Sequence, residues 1–367
     1  MKSKRTFICL GLLVLLSTIS PGQKLSRLLD YIPFRLTEQI SILPSPGLSY
    51  SPETNWSFGL TTIGTFRSLV VPGAPLSTIQ FDLRYTLNKQ LIADLDYHWN
   101  SSDQKFSAFG SNSFYSYPDL YFSNLDKSST ELIRYKKTEF DNKFFFNLIE
   151  SWKGGIIHRI QIINTPESSQ DGLFLAEMPT GYLGGISHGI GIGILQDKRN
   201  NTLNPANGSS LINVNISIFN DIIGSDYQFT RAELDLRRYL SVFGTQTLAI
   251  QAKGIFNTGN PPFSLSGNLG GQSILRGYHK NMFIARQMIA LQAELRITVY
   301  KRIGIVAFAG LGTVSNRIAS LTNKMPNSAL GTGIRILLDK TNNANLRFDA
   351  AYGSGGLQYY FSYGEAF

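Results

Sequence analysis

The chain has 367 residues and a formal charge of +9, with 16% charged residues, 12% aromatics and 34 glycines. The charged fraction lies well below the ~25% usual in soluble domains. Past the N-terminus no apolar run reaches the ~18 residues a membrane helix needs. These values exclude helical membrane spans and fit a membrane β-barrel better than an array of soluble sandwiches.

Residues 1–23 read as a secretory signal peptide. Lys2, Lys4 and Arg5 form its charged end, Phe7 to Leu16 its apolar stretch, and Ser17 to Gly22 the small residues for cleavage. The apolar stretch is too short for an anchor. Cys9, the one cysteine, would leave with it, so the mature chain would hold no disulfide and no thiolate metal site. Losing those three cations would lower the charge from +9 to about +6. Residues 24–39 read as a short leader with at most a helical turn over Leu25–Tyr31. The basic residues alternate with carboxylates and form no lysine-rich block, which argues against a nucleic-acid partner.

From residue 40 alternation repeats to the C-terminus. Ile40 to Tyr50 predicts a first strand, interrupted by Pro44 and Pro46, which cannot donate to a ladder. A turn at Pro52–Asn55 and a strand over Trp56–Arg67 follow. In Ser77–Asn88, Ile79, Phe81, Leu83, Tyr85 and Leu87 share one face, while Gln80, Asp82, Arg84 and Thr86 share the other. Leu91–Trp99, Lys105–Tyr115, Thr130–Ile149 and Ser151–Asn164 continue the pattern, with loops expected at 116–129 and 165–180. Further strands are expected at Gly181–Gln196, Ser209–Phe219, Tyr227–Leu240 and Thr245–Asn257, then from Met288 to Tyr300. Arg302–Val314, Ala329–Leu338, Asn345–Tyr352 and Gly356–Phe367 complete about sixteen antiparallel strands, an even number that suits an outer-membrane barrel.

One stretch does not alternate. Gly270-Gly271-Gln272-Ser273-Ile274-Leu275-Arg276-Gly277-Tyr278 is a glycine-rich loop that brackets one cation. It feeds a strand with Ile289, Leu291, Ala293 and Leu295 on one face and Gln292, Glu294 and Arg296 on the other. This arrangement implies a loop pinned inside something hollow. Asp82, Arg84, Asp94, Asp96, Arg231, Glu233, Asp235, Arg237, Lys253, Glu294, Arg296, Arg335, Arg347 and Asp349 all sit opposite apolar residues. In a sandwich these charges would face bulk water, but no helices are available to cover so many apolar faces. Apolar side chains facing lipid, with charges paired across a wet lumen, is the simpler arrangement.

These motifs resemble the BamA/TamA family of outer-membrane proteins, the bacterial surface antigen barrel. Asp197-Lys198-Arg199 with Pro205 and Gly208 is similar to the family turn before the central strands. Gly270, Gly271, Leu275, Arg276, Gly277 and Tyr278 are similar to the signature of the loop that folds back into the barrel. Phe308 to Gly312 resembles the Phe-x-Asp-x-Gly strand, and Phe361, Tyr363 and Phe367 resemble the C-terminal barrel signal. The resemblance is strongest over 181–367 and implies that Arg276 reaches into the lumen and pairs with Glu294. It makes residues 24–39 a periplasmic leader and 40–367 an outer-membrane domain. Two departures stand out. Gly310 replaces the family aspartate, removing one expected acceptor for Arg276. The leader is also too short for the periplasmic modules that family members carry.

The resemblance implies a role in outer-membrane protein insertion or translocation, as an accessory barrel. The expected partners are outer-membrane lipid and either the outer-membrane assembly machinery or a separate periplasmic module. A narrow or plugged diffusion pore and a structural surface-antigen barrel are the alternatives. No cofactor, metal or catalytic set is expected. His98, His158, His188 and His279 lack metal-ligand spacing. The Ser187–His188 pair lacks the strand–elbow–helix setting of a nucleophile, and Asp94 with Asp96 fits a lumenal charge ladder.

Overall fold

The computed structural model describes residues 34–37, 40–66, 76–101, 105–124, 126–199, 201, 203–205, 207–244, 246–339 and 343–367. The signal peptide expected over residues 1–23, with Cys9, and the helical turn expected over Leu25–Tyr31 lie outside the described residues. Within residues 24–39, expected as a leader, the described part is β1 (Phe34–Thr37). The barrel wall begins with β2 (Ile40–Ser51), β3 (Asn55–Phe66), β4 (Ser77–Thr86), β5 (Leu91–Asn100), β6 (Phe106–Phe122) and β7 (Thr130–Ile149). It continues through β8 (Trp152–Ile163), helix α1 (Leu173–Glu177), β9 (Gly185–Asp197), β10 (Ser210–Phe219), β11 (Phe229–Val242) and β12 (Gln246–Gly259). The small β13 (Gly267–Leu269) and β14 (Phe283–Ala285) pair within the long loop. The wall then closes with β15 (Gln287–Tyr300), β16 (Ile303–Ser315), β17 (Asn327–Asp339), β18 (Ala344–Gly353) and β19 (Gly356–Tyr363). Strands β2–β12 and β15–β19 make a closed antiparallel barrel of sixteen.

The alternation decides which side each residue meets. Phe81, Leu83 and Tyr85 of β4, Phe140, Phe144 and Phe146 of β7, and Ile190, Ile192 and Ile194 of β9 are exposed on the outer wall. Asp82, Arg159, Arg231, Arg335, Arg347 and Asp349 are buried on the inner side. Inward charges pair along and across strands: Arg84 with Asp94 at 2.8 Å, Arg231 with Glu233 at 2.8 Å, Arg237 with Asp235 at 2.6 Å. Asp94 also accepts the Tyr115 hydroxyl, so it belongs to this ladder. The longest connections, 164–184 and 260–286, lie at one end. Tight turns such as 150–151 and 301–302 lie at the other. In the outer-membrane barrel that the sequence leads one to expect, short turns lie in the periplasm, which would put the long loops on the extracellular side.

Several boundaries differ from the sequence pattern. Residues 116–122, expected as loop, extend β6 to Phe122 and form a tall hairpin with β7. Pro118 is tolerated there because β5 has already ended, its last partner pair being Leu91 with Ser116. Within the expected 165–180 loop, the Glu131 carboxylate accepts the Ser169 and Phe174 amides and holds the start of α1. Buried Phe174 packs there against Tyr121 and Phe263. The strand expected from Gly181 starts at Gly185, after a turn with positive φ at Gly181 and Gly184.

The C-terminal strand also needs correction. It stops at Tyr363, and Phe367 is not on it. Gly364, at φ 74°, bends the chain inward. Phe367 is buried against Tyr239 and Ala249, and its carbonyl accepts Arg296 Nη2 at 3.0 Å. Phe361 stays on the outer wall, its ring 4.3 Å from Phe348 and 6.5 Å from Trp56.

The two ends of the sheet meet weakly. β2 pairs with β3 along its whole length, but its described pairing with β19 is the single register Tyr50↔Phe361. The backbone explains why. The Trp56 carbonyl accepts from Leu87, so Trp56 turns its polar groups toward β4. Tyr50, opposite Trp56, therefore turns its own toward β19. Pro44 and Pro46 share the parity of Tyr50, so the amides they lack are ones that would face the seam. Nearer the periplasm, β1 folds back on this edge through Phe34↔Ile42 and Arg35↔Ser41.

The run Gly189-Ile190-Gly191-Ile192-Gly193 is close strand packing of this wall. A Cβ on Gly191 would collide with the Ile216 carbonyl and the Ser217 side chain. Gly191→Val should cost about 1–3 kcal/mol by overpacking. Urea titration of the folded barrel, followed by its heat-modifiable mobility on gels, measures this. An unchanged midpoint would contradict it.

Candidate functional site: a loop locked in the lumen

The part of the 260–286 loop around Arg276 descends into the barrel, where its polar groups find partners on the wall strands. Gly277 takes φ 110° and lies against β18, where an added Cβ would sit 3.0 Å from Gly353 N. Its own amide donates to Tyr360 Oη at 3.0 Å, and Tyr278 Oη donates to the Ser328 carbonyl at 2.8 Å. Gly270 and Gly271 also adopt positive φ and let the Gly271 amide reach the Tyr278 carbonyl. Leu275 and Tyr278 join Ile255, Leu269, Met288, Ala290 and Ala329 in a buried apolar cluster. Gln292 fixes the loop from β15 by donating to the Ser273 carbonyl at 2.8 Å.

Arg276 is the centre of this arrangement, with its side chain 1% exposed. Nη2 donates to Glu294 Oε2 at 2.6 Å and Nη1 to Asp349 Oδ2 at 2.5 Å. The guanidinium lies 3.5 Å from the Phe308 ring centroid, a cation–π contact that desolvation strengthens. Both carboxylates are shared. Glu294 also accepts Arg296 Nε at 2.9 Å and Arg335 Nη2 at 3.5 Å. Asp349 also accepts Arg335 Nη1 at 2.7 Å and pairs with Arg347 at 3.5 Å. Glu365, beyond the last strand, closes the cluster by pairing with Arg335 at 2.7 Å.

Asp349 is the residue that motif reasoning missed. The sequence marks Gly310 as a lost acceptor, and the structure supplies another from β18. Gly310 itself faces the loop: a Cβ there would stand 3.2 Å from Leu275 Cδ1. The alternation in Asn345–Tyr352 already puts Arg347 and Asp349 on the inward face, but it does not say which strands face each other across a lumen. Phe308 stacks on Arg276, while Gly312 lies beside Leu269 of the loop. Asp197, the last residue of β9, and Arg199, Pro205 and Gly208, in the connection to β10, lie apart from the loop. Asp197 accepts the Arg199 amide at 3.0 Å and its Nη2 at 2.7 Å, a turn staple.

An Omp85 superfamily domain matches residues 47–367. The chain belongs to the Omp85 superfamily. No curated protein sequence matches it. Among solved structures it is similar to BamA from Haemophilus ducreyi lacking POTRA domains 1-3, at TM-score 0.56 and 15% identity. That match covers 89% of this chain and 70% of that one. CdiB from Escherichia coli is similar at TM-score 0.57 and 12% identity, covering 88% and 62%. CdiB from Acinetobacter baumannii is similar at TM-score 0.55 and 10% identity, covering 89% and 60%. The chain thus spans about six-tenths of the length of the CdiB structures, and at these identities the likeness is one of fold. An Omp85 barrel places this protein in a bacterial outer membrane.

The four histidines of this Omp85 barrel form no ligand set. His158 and His188 meet at 3.1 Å between Nε2 atoms. Among the described residues no group of three or more His, Cys, Asp or Glu could hold a metal ion.

Arg276→Ala would leave Glu294 and Asp349 short of a buried cation, at a cost of about 3–5 kcal/mol. Gly310→Asp alone should also destabilise the barrel, because it crowds Leu275 and adds a third carboxylate. Gly310→Asp combined with Asp349→Asn should recover at least half of the stability that Asp349→Asn loses. Urea midpoints of the four variants measure this, and a strictly additive double variant would contradict the exchange of acceptors.

Proposed function

We propose that this Omp85 barrel serves outer-membrane protein insertion or translocation in an accessory role, without catalysis. In this reading the loop locked by Arg276 is the closure and the β2–β19 seam is the part that yields. The periplasmic receiving step would come from the assembly machinery or from a module on another chain. The observation that carries the reading is the seam, with one paired register and two prolines on its β2 edge. Parting it breaks few backbone hydrogen bonds, each worth only about 0.5–1.5 kcal/mol net. An ordinary barrel seam would break a full ladder.

A second reading is a plugged or narrow pore for small solutes. It is favoured by a cavity of about 220 Å³ on the lumen side, lined by Ser49, Asp82, Arg84, Asp94, Gln272 and Arg347 among others. Such a space suits water and ions and is far too small for a polypeptide.

Tyr50 and Phe361 are partners in an antiparallel ladder, where Cα atoms lie about 4.5–5.5 Å apart, within disulfide reach. Tyr50→Cys/Phe361→Cys should therefore lock the seam under oxidation. The expected result is loss of other barrels from the outer membrane, as in a deletion strain, with recovery on reduction. Normal barrel levels in both strains would reject the insertion reading. Single-channel conductance then decides the pore. A nearly closed wild type that opens in Arg276→Ala supports a plug, and a wide conductance unchanged by the substitution removes the lock.

A further inference from the structure

A groove on the outer wall gathers three cations directly above an apolar face. It lies at the extracellular end, in the step between the short β4–β5 turn and the taller β6–β7 hairpin. Its volume is about 430 Å³, and Leu87, Lys89, Pro118, Leu132, Arg134 and Lys136 line it. Leu132, Arg134, Lys136 and Phe140 are all exposed and share the outward parity of β7. Lys89 reaches the same groove from the turn, in a left-handed conformation at φ 61°. None of the three cations is ion-paired with a described carboxylate. Glu167 also lines the groove, and its backbone is tied to that of Arg134 by two hydrogen bonds of 2.8 and 2.9 Å.

Height identifies the surroundings. Strand residues rise about 3.4 Å each and barrel strands tilt about 40°, which puts Lys136 about 30 Å above Leu148, the last outward residue of β7, against an apolar band about 25 Å tall. The cations therefore stand just above the hydrocarbon of the outer leaflet. In the band itself each would cost about 2–4 kcal/mol. Below them Tyr85, Leu91, Phe114 and Phe140 present an exposed apolar wall. Arg134 and Lys136, two residues apart on one face, are separated by about 7 Å. With Lys89 they span more than one phosphate.

We propose that this groove binds a multiply phosphorylated, acylated glycolipid of the outer leaflet, with its phosphates on Lys89, Arg134 and Lys136 and its acyl chains on the wall below. Arginine binds phosphate through two parallel hydrogen bonds, and the groove supplies cationic and apolar surface in the order such a lipid requires. The proposal stands on membrane orientation and is independent of the transport reading.

The test uses the whole barrel in detergent, with lipid occupancy read by native mass spectrometry. The probes are diphosphorylated lipid A, its phosphate-free form, phosphatidylglycerol and inorganic phosphate. Wild type should retain one diphosphorylated lipid A, and Lys89→Ala/Arg134→Ala/Lys136→Ala should lower its occupancy at least ten-fold. Heat-modifiable mobility confirms that the variant is folded; the single Arg134→Ala, expected to lose about three-fold, replaces it if it is not. The phosphate-free lipid should bind both proteins weakly and equally. Equal retention by the variants, or equal binding of the phosphate-free form, overturns the proposal. Displacement by millimolar inorganic phosphate would assign the groove to the free ion, and equal binding of phosphatidylglycerol would remove the outer-leaflet glycolipid.

Discussion

The interior of this barrel rests on one requirement: a guanidinium taken out of water must be neutralised from two sides. Arg276 meets it with Glu294 on β15 and Asp349 on β18, strands that the sheet holds apart. The carboxylates in turn gather Arg296, Arg335 and Arg347. A buried ion pair adds little net stability, because desolvation offsets most of the attraction, but breaking one is costly. The cluster therefore selects one conformation of the loop more than it strengthens the barrel. The apolar contacts of Leu275 and Tyr278 supply the burial, and the charges supply the register.

Much of this was legible in the sequence, for a clear reason. A strand with lipid on one side and a wet lumen on the other obeys a period of two over its whole length. The Ile79–Leu87 face and the inward run Arg231, Glu233, Asp235 and Arg237 were therefore visible without a structure. Glycines around Arg276 marked a loop, and the parity of Glu294 gave one partner. What alternation cannot carry is the relation between strands distant in sequence. Asp349 lies 73 residues from Arg276, and no local pattern joins them. The extra height of β6 was hidden for a related reason. Pro118 looks like a terminator until it is known that β5 has already ended beside it.

Gly310 shows how a departure from a motif can mislead. Read alone, it removes an acceptor. In the fold it faces Leu275, a non-glycine residue held at φ 54°. The space beneath the loop and the position of the second carboxylate are therefore parts of one exchange. A side chain at 310 would press on the loop from β16, whereas Asp349 reaches the same guanidinium from β18 without entering that space.

The loop also bears on the seam. It springs from β12 and β15, yet its partners sit on both sides of the weak junction. Tyr360 of β19 accepts the Gly277 amide and Gly353 of β18 packs closely beside it, while Glu53, in the turn after β2, accepts the Lys280 amide at 2.5 Å. The loop thus behaves as a tie-rod drawn across an open suture. Under lateral tension the load would pass through a handful of side chains in the lumen and largely bypass the backbone ladder. The force that parts the wall would then be set in part by loop residues inside the lumen that never meet lipid.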